Sequence, residues 1–275
     1  MFLKNSFRNR LRNLLNFVII WEDKVQRICQ NVIGGIRALE VKKYNEMTED
    51  EIKEIVREKT RKIERVQDAL VVSLTELVEC RDGQTGGHSR RVAKYTGILL
   101  DALYERGKYS QIIDADYVKQ VKRGAFLHDI GKVGIADIAL LKDSKLTSQE
   151  MEYMRAHTMY GGRALDHALE KIGEESFLEH SRDVAYYHHE KWNGKGYPFG
   201  LAGEDIPLSA RILSLADVYD ALTSKRSYKE QYSHDKAVSI ILQERGISFD
   251  PEITDVFEEI QPKFRAALEN FEAGK

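Results

Sequence analysis

An all-α fold is the class this sequence predicts, and three features predict it. Only 4 prolines interrupt 275 residues, turn-forming clusters are few, and apolar residues recur with the 3.6-residue period over long stretches. The 42% hydrophobic and 31% charged content is that of an ordinary soluble globular chain. At this length the chain holds one large domain, or one of about 200 residues with an appendage. The patterning favours the second arrangement, with an N-terminal helical coupling region over 1–65 and a compact helical domain over 66–275.

The elements follow in order. Residues 1–21 carry Lys4, Arg8, Arg10 and Arg12 and no acid, while Phe7, Leu11, Leu14, Leu15 and Val18 share one face. That basic amphipathic helix is expected to pack on a partner or an upstream domain, with a membrane surface as the alternative. Thr48 and Glu51 form a capping box that opens a long charged helix. Its apolar positions Ile52, Ile55, Ile63, Val66, Leu70 and Leu77 follow an interrupted heptad. This reads as a coiled-coil-like linker, so a homodimer is expected. Beyond it come the helix "HSRRVAKYTGILLDAL", the apolar run that ends in His128-Asp129, and a helix begun by Thr147 and Glu150 that contains His157. Gly131 is expected to let the chain turn away after the His-Asp pair. "DVAYYHHE" and the apolar helix "ARILSLADVYDAL" complete the set.

Composition excludes several functions. A net charge of -2 gives no electrostatic case for a nucleic-acid polymer as partner. Cys29 and Cys80 share no motif, which fits a reducing compartment and excludes a thiolate zinc site. The longest apolar stretch, Leu14 to Trp21, is far short of the ~20 residues of a spanning helix. No signal-peptide cleavage pattern is present, so a cytoplasmic location is expected.

The chemistry sits in the histidines. Of the eight, His167, His180 and His234 read as surface or packing residues. His88 lies on the buried stripe of its helix with Val92 and Leu99, and His128-Asp129 closes Ala125-Phe126-Leu127. Asp217 and Asp220 stand in an apolar helix, where a carboxylate is costly unless paired or metal-bound. Any one of these is an ordinary buried polar residue. Together, five imidazoles with carboxylates and no cysteine form an N/O ligand set suited to Fe, Mn, Zn or Ni. Adjacent residues on a helix project about 100° apart, so His188 and His189 suit two nearby ions better than one. Asp129 is suited to bridge such a pair. The usual work of a dinuclear centre is in-line attack on phosphorus by a metal-bound hydroxide.

The series "QTGGHSRR", "HDIGKVGI", "MRAHTMYGG", "HHEKWNGKGYPFGLAGEDIPLSARIL" and "ADVYDALTSKRSYK" resembles the HD-GYP domain, a bacterial branch of the HD phosphohydrolases. The likeness runs from about residue 66 to about 260. It implies a helical domain with a di- or trinuclear centre, usually iron or manganese, that hydrolyses cyclic di-GMP to linear pGpG or to GMP. It further implies His88, His128, Asp129, His157, His188, His189 and Asp217 as metal ligands, and Lys132 as a contact to the scissile phosphate. Tyr197 would lie near a guanine, while Lys225, Arg226 and Lys229 follow the last ligand helix where the family holds phosphates. A phosphodiester gains charge in its transition state, so preplaced cations are what the reaction requires. Without such a substrate those three cations would be a solvated charge run.

Departures from the family pattern refine the expectation. Three-metal members carry Glu four residues before the first ligand His, where this chain has Gln84. A neutral amide is a poor ligand for a hard ion, so two metals and pGpG as main product are expected. Asn193 and Ser227 replace the family's common Asp and Pro without removing a ligand. The alternatives are a phosphodiesterase of another cyclic dinucleotide, such as cyclic GMP-AMP, and a receptor that binds cyclic di-GMP without hydrolysing it.

Overall fold

The structure, a computed structural model, describes residues 47–82, 87–142, 144–172, 177–225 and 231–274. Among them every regular element is helical, and strand-like pairing is confined to isolated bridges at Asn193–Ala202 and Arg245–Phe249. No described helix is long and apolar enough to cross a membrane. Contacts divide the chain into two compact units, Met1–Arg65 and Val66–Lys275.

Helix α1, Glu49–Arg81, begins at the Thr48/Glu51 box, where the Thr48 hydroxyl accepts from the Glu51 amide and the Glu51 carboxylate accepts from the Thr48 amide. In the first unit the described residues of α1 are largely exposed, including Val56 and Ile63. In the second unit α1 buries Thr75, Val78 and Glu79 and leaves Leu70 and Leu77 in solvent. Val56, Ile63, Leu70 and Leu77 recur at every seventh position, whereas Ile55 is only partly exposed.

The core of the second unit forms around α2 (His88–Glu105), α8 (Leu208–Thr223) and α10 (Pro251–Glu272). Tyr95, Tyr219, Phe257 and Phe264 are fully buried at their junction, with Tyr95 stacked on Phe264 at 5.1 Å and Phe257 edge-on to it at 5.0 Å. Helix α3 (Ala115–Gly124) is capped by Asp114, whose carboxylate accepts from the Tyr117 amide. It runs through a 3-10 turn, Ala125–Leu127, into His128-Asp129 and a second 3-10 segment, Ile130–Gly134. The short α4 (Asp137–Leu140) and α5 (Ser148–Arg155) follow, then the pair α6 (His157–Ile172) and α7 (Phe177–Tyr187), and α9 (His234–Gln243) packs on α8.

Two local expectations change. The helix begun by Thr147 ends at Arg155, and His157 opens a new helix instead of lying inside the first. Gly131 serves close approach and not a turn. A Cβ there would stand 1.9 Å from the His157 carbonyl and 2.4 Å from the Gly161 nitrogen. Only a residue without a side chain lets the His-Asp segment lie backbone to backbone on α6.

Candidate metal centre

Five elements deliver side chains to one point. His88 is the first residue of α2, preceded by Gly87 at φ 102°. No side chain of α2 caps this end. The carboxylate of Glu79 in α1 does so, accepting from the amides of Gly87 at 2.8 Å and Ser89 at 2.5 Å. Burial works to raise the pKa of Glu79, but these amide bonds prevail and hold it below the usual carboxylate range.

The imidazoles are locked before any ion arrives. Nδ1 of His128, His157 and His188 faces the carbonyl of Ala125 (2.9 Å), Met154 (2.7 Å) and Val184 (2.7 Å). A carbonyl only accepts, so each Nδ1 carries the hydrogen and each Nε2 presents a lone pair. Nε2 of His157 and His188 then oppose each other at 3.4 Å, and those of His88 and His128 at 3.3 Å. Bare lone pairs at that separation repel unless a cation lies between them: an ion for His157 and His188, and an ion or the proton of a charged His88 for the other pair. The donor set therefore fits metal ions.

Two triads result. His88, His128 and Asp217 offer ligand atoms within 4.8 Å of one another, as do His157, His188 and His189. Asp129 joins them. Its Oδ2 lies 3.4 Å from His128 Nε2 and 3.7 Å from His88 Nε2, while its Oδ1 lies 3.3 Å from His157 Nε2 and 3.8 Å from His188 Nε2. One carboxylate oxygen therefore faces each triad. His188 and His189 converge on a single triad, contrary to the 100° expectation. Helix α7 ends at Tyr187, so both residues sit in the turn beyond it and the helical projection no longer applies.

The electrostatics separate the triads. Burial, reinforced by neighbouring imidazoles, holds His188 well below its ordinary pKa and His189 at about 3, so both are neutral donors. His88 is the opposite case. Burial disfavours its charge, but Asp129, Asp220 and Asp217 surround it and raise it to about 10. Burial also pushes Asp129 upward, yet Lys132 and His128 hold it far below the carboxylate range.

Two carboxylates have roles the sequence left unassigned. Asp217 and Asp220 share one face of α8; Asp217 Oδ1 stands 3.5 Å from His88 Nε2, while Asp220 Oδ2 accepts from His88 Nδ1 at 2.8 Å. Arg91 holds Asp220 in turn, with Nε at 2.6 Å. Asp220 therefore fixes the tautomer of His88. Its cost in an apolar helix was the available signal. Asp82 accepts from Lys132 Nζ at 2.7 Å, and Asp129 accepts from the same ammonium at 2.8 Å. Nothing in the sequence pattern singled out Asp82.

Tyr197 stacks on His189 at 4.7 Å and 27°, with the Arg155 guanidinium over its ring at 4.9 Å. Lys225 is exposed past the end of α8. Gln84, Arg226 and Lys229 lie outside the described residues, as does the 1–21 helix. Among the remaining histidines, His180 packs edge-on to Tyr117 and His234 hydrogen-bonds Tyr219, as packing residues would.

A family model described as HD domain matches residues 74–253. A Vibrio cholerae protein named cyclic di-GMP phosphodiesterase is 44% identical over 76% of this chain and 42% of its own length. Another from that organism, named probable cyclic di-GMP phosphodiesterase, is 46% identical over 71% of this chain and 44% of itself. A third, named 3′3′-cGAMP-specific phosphodiesterase 2, is 36% identical over 72% and 35%. The chain thus spans less than half the length of each. The crystal structure of a cyclic GMP-AMP specific phosphodiesterase of V. cholerae superposes with a TM-score of 0.51 at 22% identity, over 73% of this chain and 50% of that one. At that identity the likeness is one of fold.

Proposed function

The chain belongs to the HD-domain family, and from that premise we propose that it hydrolyses cyclic di-GMP to linear pGpG at the centre around Asp129. The single observation that carries this reading is the pair of triads sharing one carboxylate, a layout matched to a phosphodiester. Two ions bound there would supply Lewis-acid charge to the phosphate and make water beside them more acidic. His88, His128 and Asp217 would hold one, His157, His188 and His189 the other, with Asp129 between. The N/O donor set and the family resemblance favour iron or manganese.

The chain's own residues set the remaining terms. Burial opposes the charge of Lys132, but Asp129 and Asp82 outweigh it and raise its pKa. Its ammonium would therefore stand as a positive charge toward the phosphate. Arg155, resting on the Tyr197 ring, brings a fork of donors to the edge of the second triad, a position suited to a guanine. Arg226, Lys229 and Lys225 follow α8 in sequence and would meet the outer phosphate. Gln84, a neutral amide four residues before His88, supports two metals and pGpG as the end product.

Purified protein loaded anaerobically with Fe²⁺, or with Mn²⁺, should release pGpG from cyclic di-GMP; absence of product in both loadings would remove the reading. Cyclic GMP-AMP is the second substrate to assay, because a relative of 36% identity is named for it. The interrupted heptad in the sequence, with Leu70 and Leu77 exposed in the second unit, supports a two-stranded coil and hence a homodimer, which light scattering on the full chain would measure.

A further inference from the structure

The C-terminal end of α1 carries a residue that the proposed chemistry does not use. Arg81 donates to the main-chain carbonyls of Lys132 at 3.2 Å, of Val133, and of Ile135 at 2.6 Å, and to Asp137 Oδ1 at 2.9 Å. These acceptors bracket the end of the 3-10 segment Ile130–Gly134 and the start of α4. Asp82, the next residue along, accepts from the Lys132 ammonium at 2.7 Å. Consecutive residues thus hold Lys132 twice, one by its backbone and one by its side chain.

Gly131 anchors the start of this segment on α6, and its far end is the part that Arg81 reaches. At its two ends Lys132 N–H donates to the Asp129 carbonyl at 3.0 Å and Ile135 N–H to the Lys132 carbonyl at 3.1 Å. Val133 is 62% exposed, so apolar packing does not fix that position. A 3-10 geometry has poorer hydrogen bonds than an α-helix and is used in short pieces. A planar guanidinium with its donors at fixed angles sets the spacing of the carbonyls it gathers, which a lone ammonium cannot do. A simple surface ion pair to Asp137 would be worth little. The convergence on three carbonyls is what distinguishes Arg81.

We propose that Arg81 is a positioning residue for the phosphodiester reaction, setting where the Lys132 ammonium stands relative to Asp129. This rests on the phosphodiesterase reading above. It also makes the end of α1 the place at which a displacement of that helix reaches the catalytic charge.

The test is a double-mutant cycle of Arg81→Met and Lys132→Met, read with cyclic di-GMP and with bis(p-nitrophenyl) phosphate, alongside metal content and melting temperature. Arg81→Met should lower kcat on the order of 100-fold, the loss typical of a slightly misplaced catalytic group. KM should move little and metal content should stay at the wild-type value. The double variant should be no slower than Lys132→Met, because Arg81 acts through Lys132. Arg81→Lys, which keeps charge but not the fork, should recover only part of the loss. Multiplicative effects in the double variant overturn the proposal. So does an unchanged kcat, or a fall in metal content or melting temperature that accounts for the lost activity. A wild type inert toward cyclic di-GMP but active on the small diester sinks the substrate reading and leaves the cycle readable. Inactivity toward both overturns the two together.

Discussion

Asp129 concentrates the residue-scale chemistry, since each of its oxygens faces a different pair of imidazoles. Asp129→Asn keeps the shape but halves the ligand capacity and removes a charge. We expect the purified variant to lose metal by elemental analysis and to lose hydrolysis with it; full metal occupancy would contradict the bridging assignment. Asp220→Asn is the subtler case, because an amide can present its N–H to His88 and upset the tautomer. Partners of this kind typically change metal affinity by about 10–100-fold, which competition with a chelator will measure. The ligand types were legible from the sequence because His and Asp in apolar surroundings are costly without a partner. Asp82 was not, since a carboxylate at a helix end is unremarkable until Lys132, 50 positions away, is seen against it.

At the scale of elements, the contact between the His-Asp segment and α6 decides whether the two triads meet. Gly131→Ala would place a methyl 1.9 Å from the His157 carbonyl. Overpacking of this kind costs about 1–3 kcal/mol, and here it also pushes His157 away from Asp129. The expected result is a weakened second metal, seen as one tight ion per chain where two are proposed for the wild type. Glu150 offers a pH test on α5. Its bond to Lys142 and then to the Thr147 amide depress its pKa to about 2. A depressed carboxylate keeps its contribution above the ordinary value and loses it as pH falls through the folded one. The capping box should therefore persist to about pH 2, and a carboxyl NMR titration of Glu150 with a midpoint near 4.5 would be inconsistent with it. The Thr-x-x-Glu pattern announced this cap because both partners are three residues apart. The end of the same helix at Arg155 was not announced, because no Gly or Pro marks it.

For the whole molecule, α2 and α8 carry the candidate ligands His88 and Asp217 as well as the core aromatics Tyr95 and Tyr219, so the proposed centre would link stability to metal binding. Phe264 is fully buried against Tyr95, Tyr219 and Phe257. Phe264→Ala should cost about 3–5 kcal/mol, measured as a lower denaturant midpoint with an unchanged slope. Metal removal should act in the same direction, since ions that bind only the folded chain stabilise it by mass action. A chelated sample that melts at the temperature of the loaded one would argue against metals bound across these helices.

The sequence by itself determined the helical class and the HD-GYP resemblance, and it picked out the candidate donor atoms. These are properties of residue type, period and order, which need no long-range contact to be read. Only the tertiary structure decided that His188 and His189 converge on one triad, that Asp129 divides its oxygens between two, and that Asp220, Asp82 and Arg81 stand behind the ligands. Each depends on where helices end and how closely backbones approach. Such distances are set by packing among residues far apart in the chain, and no local pattern carries them.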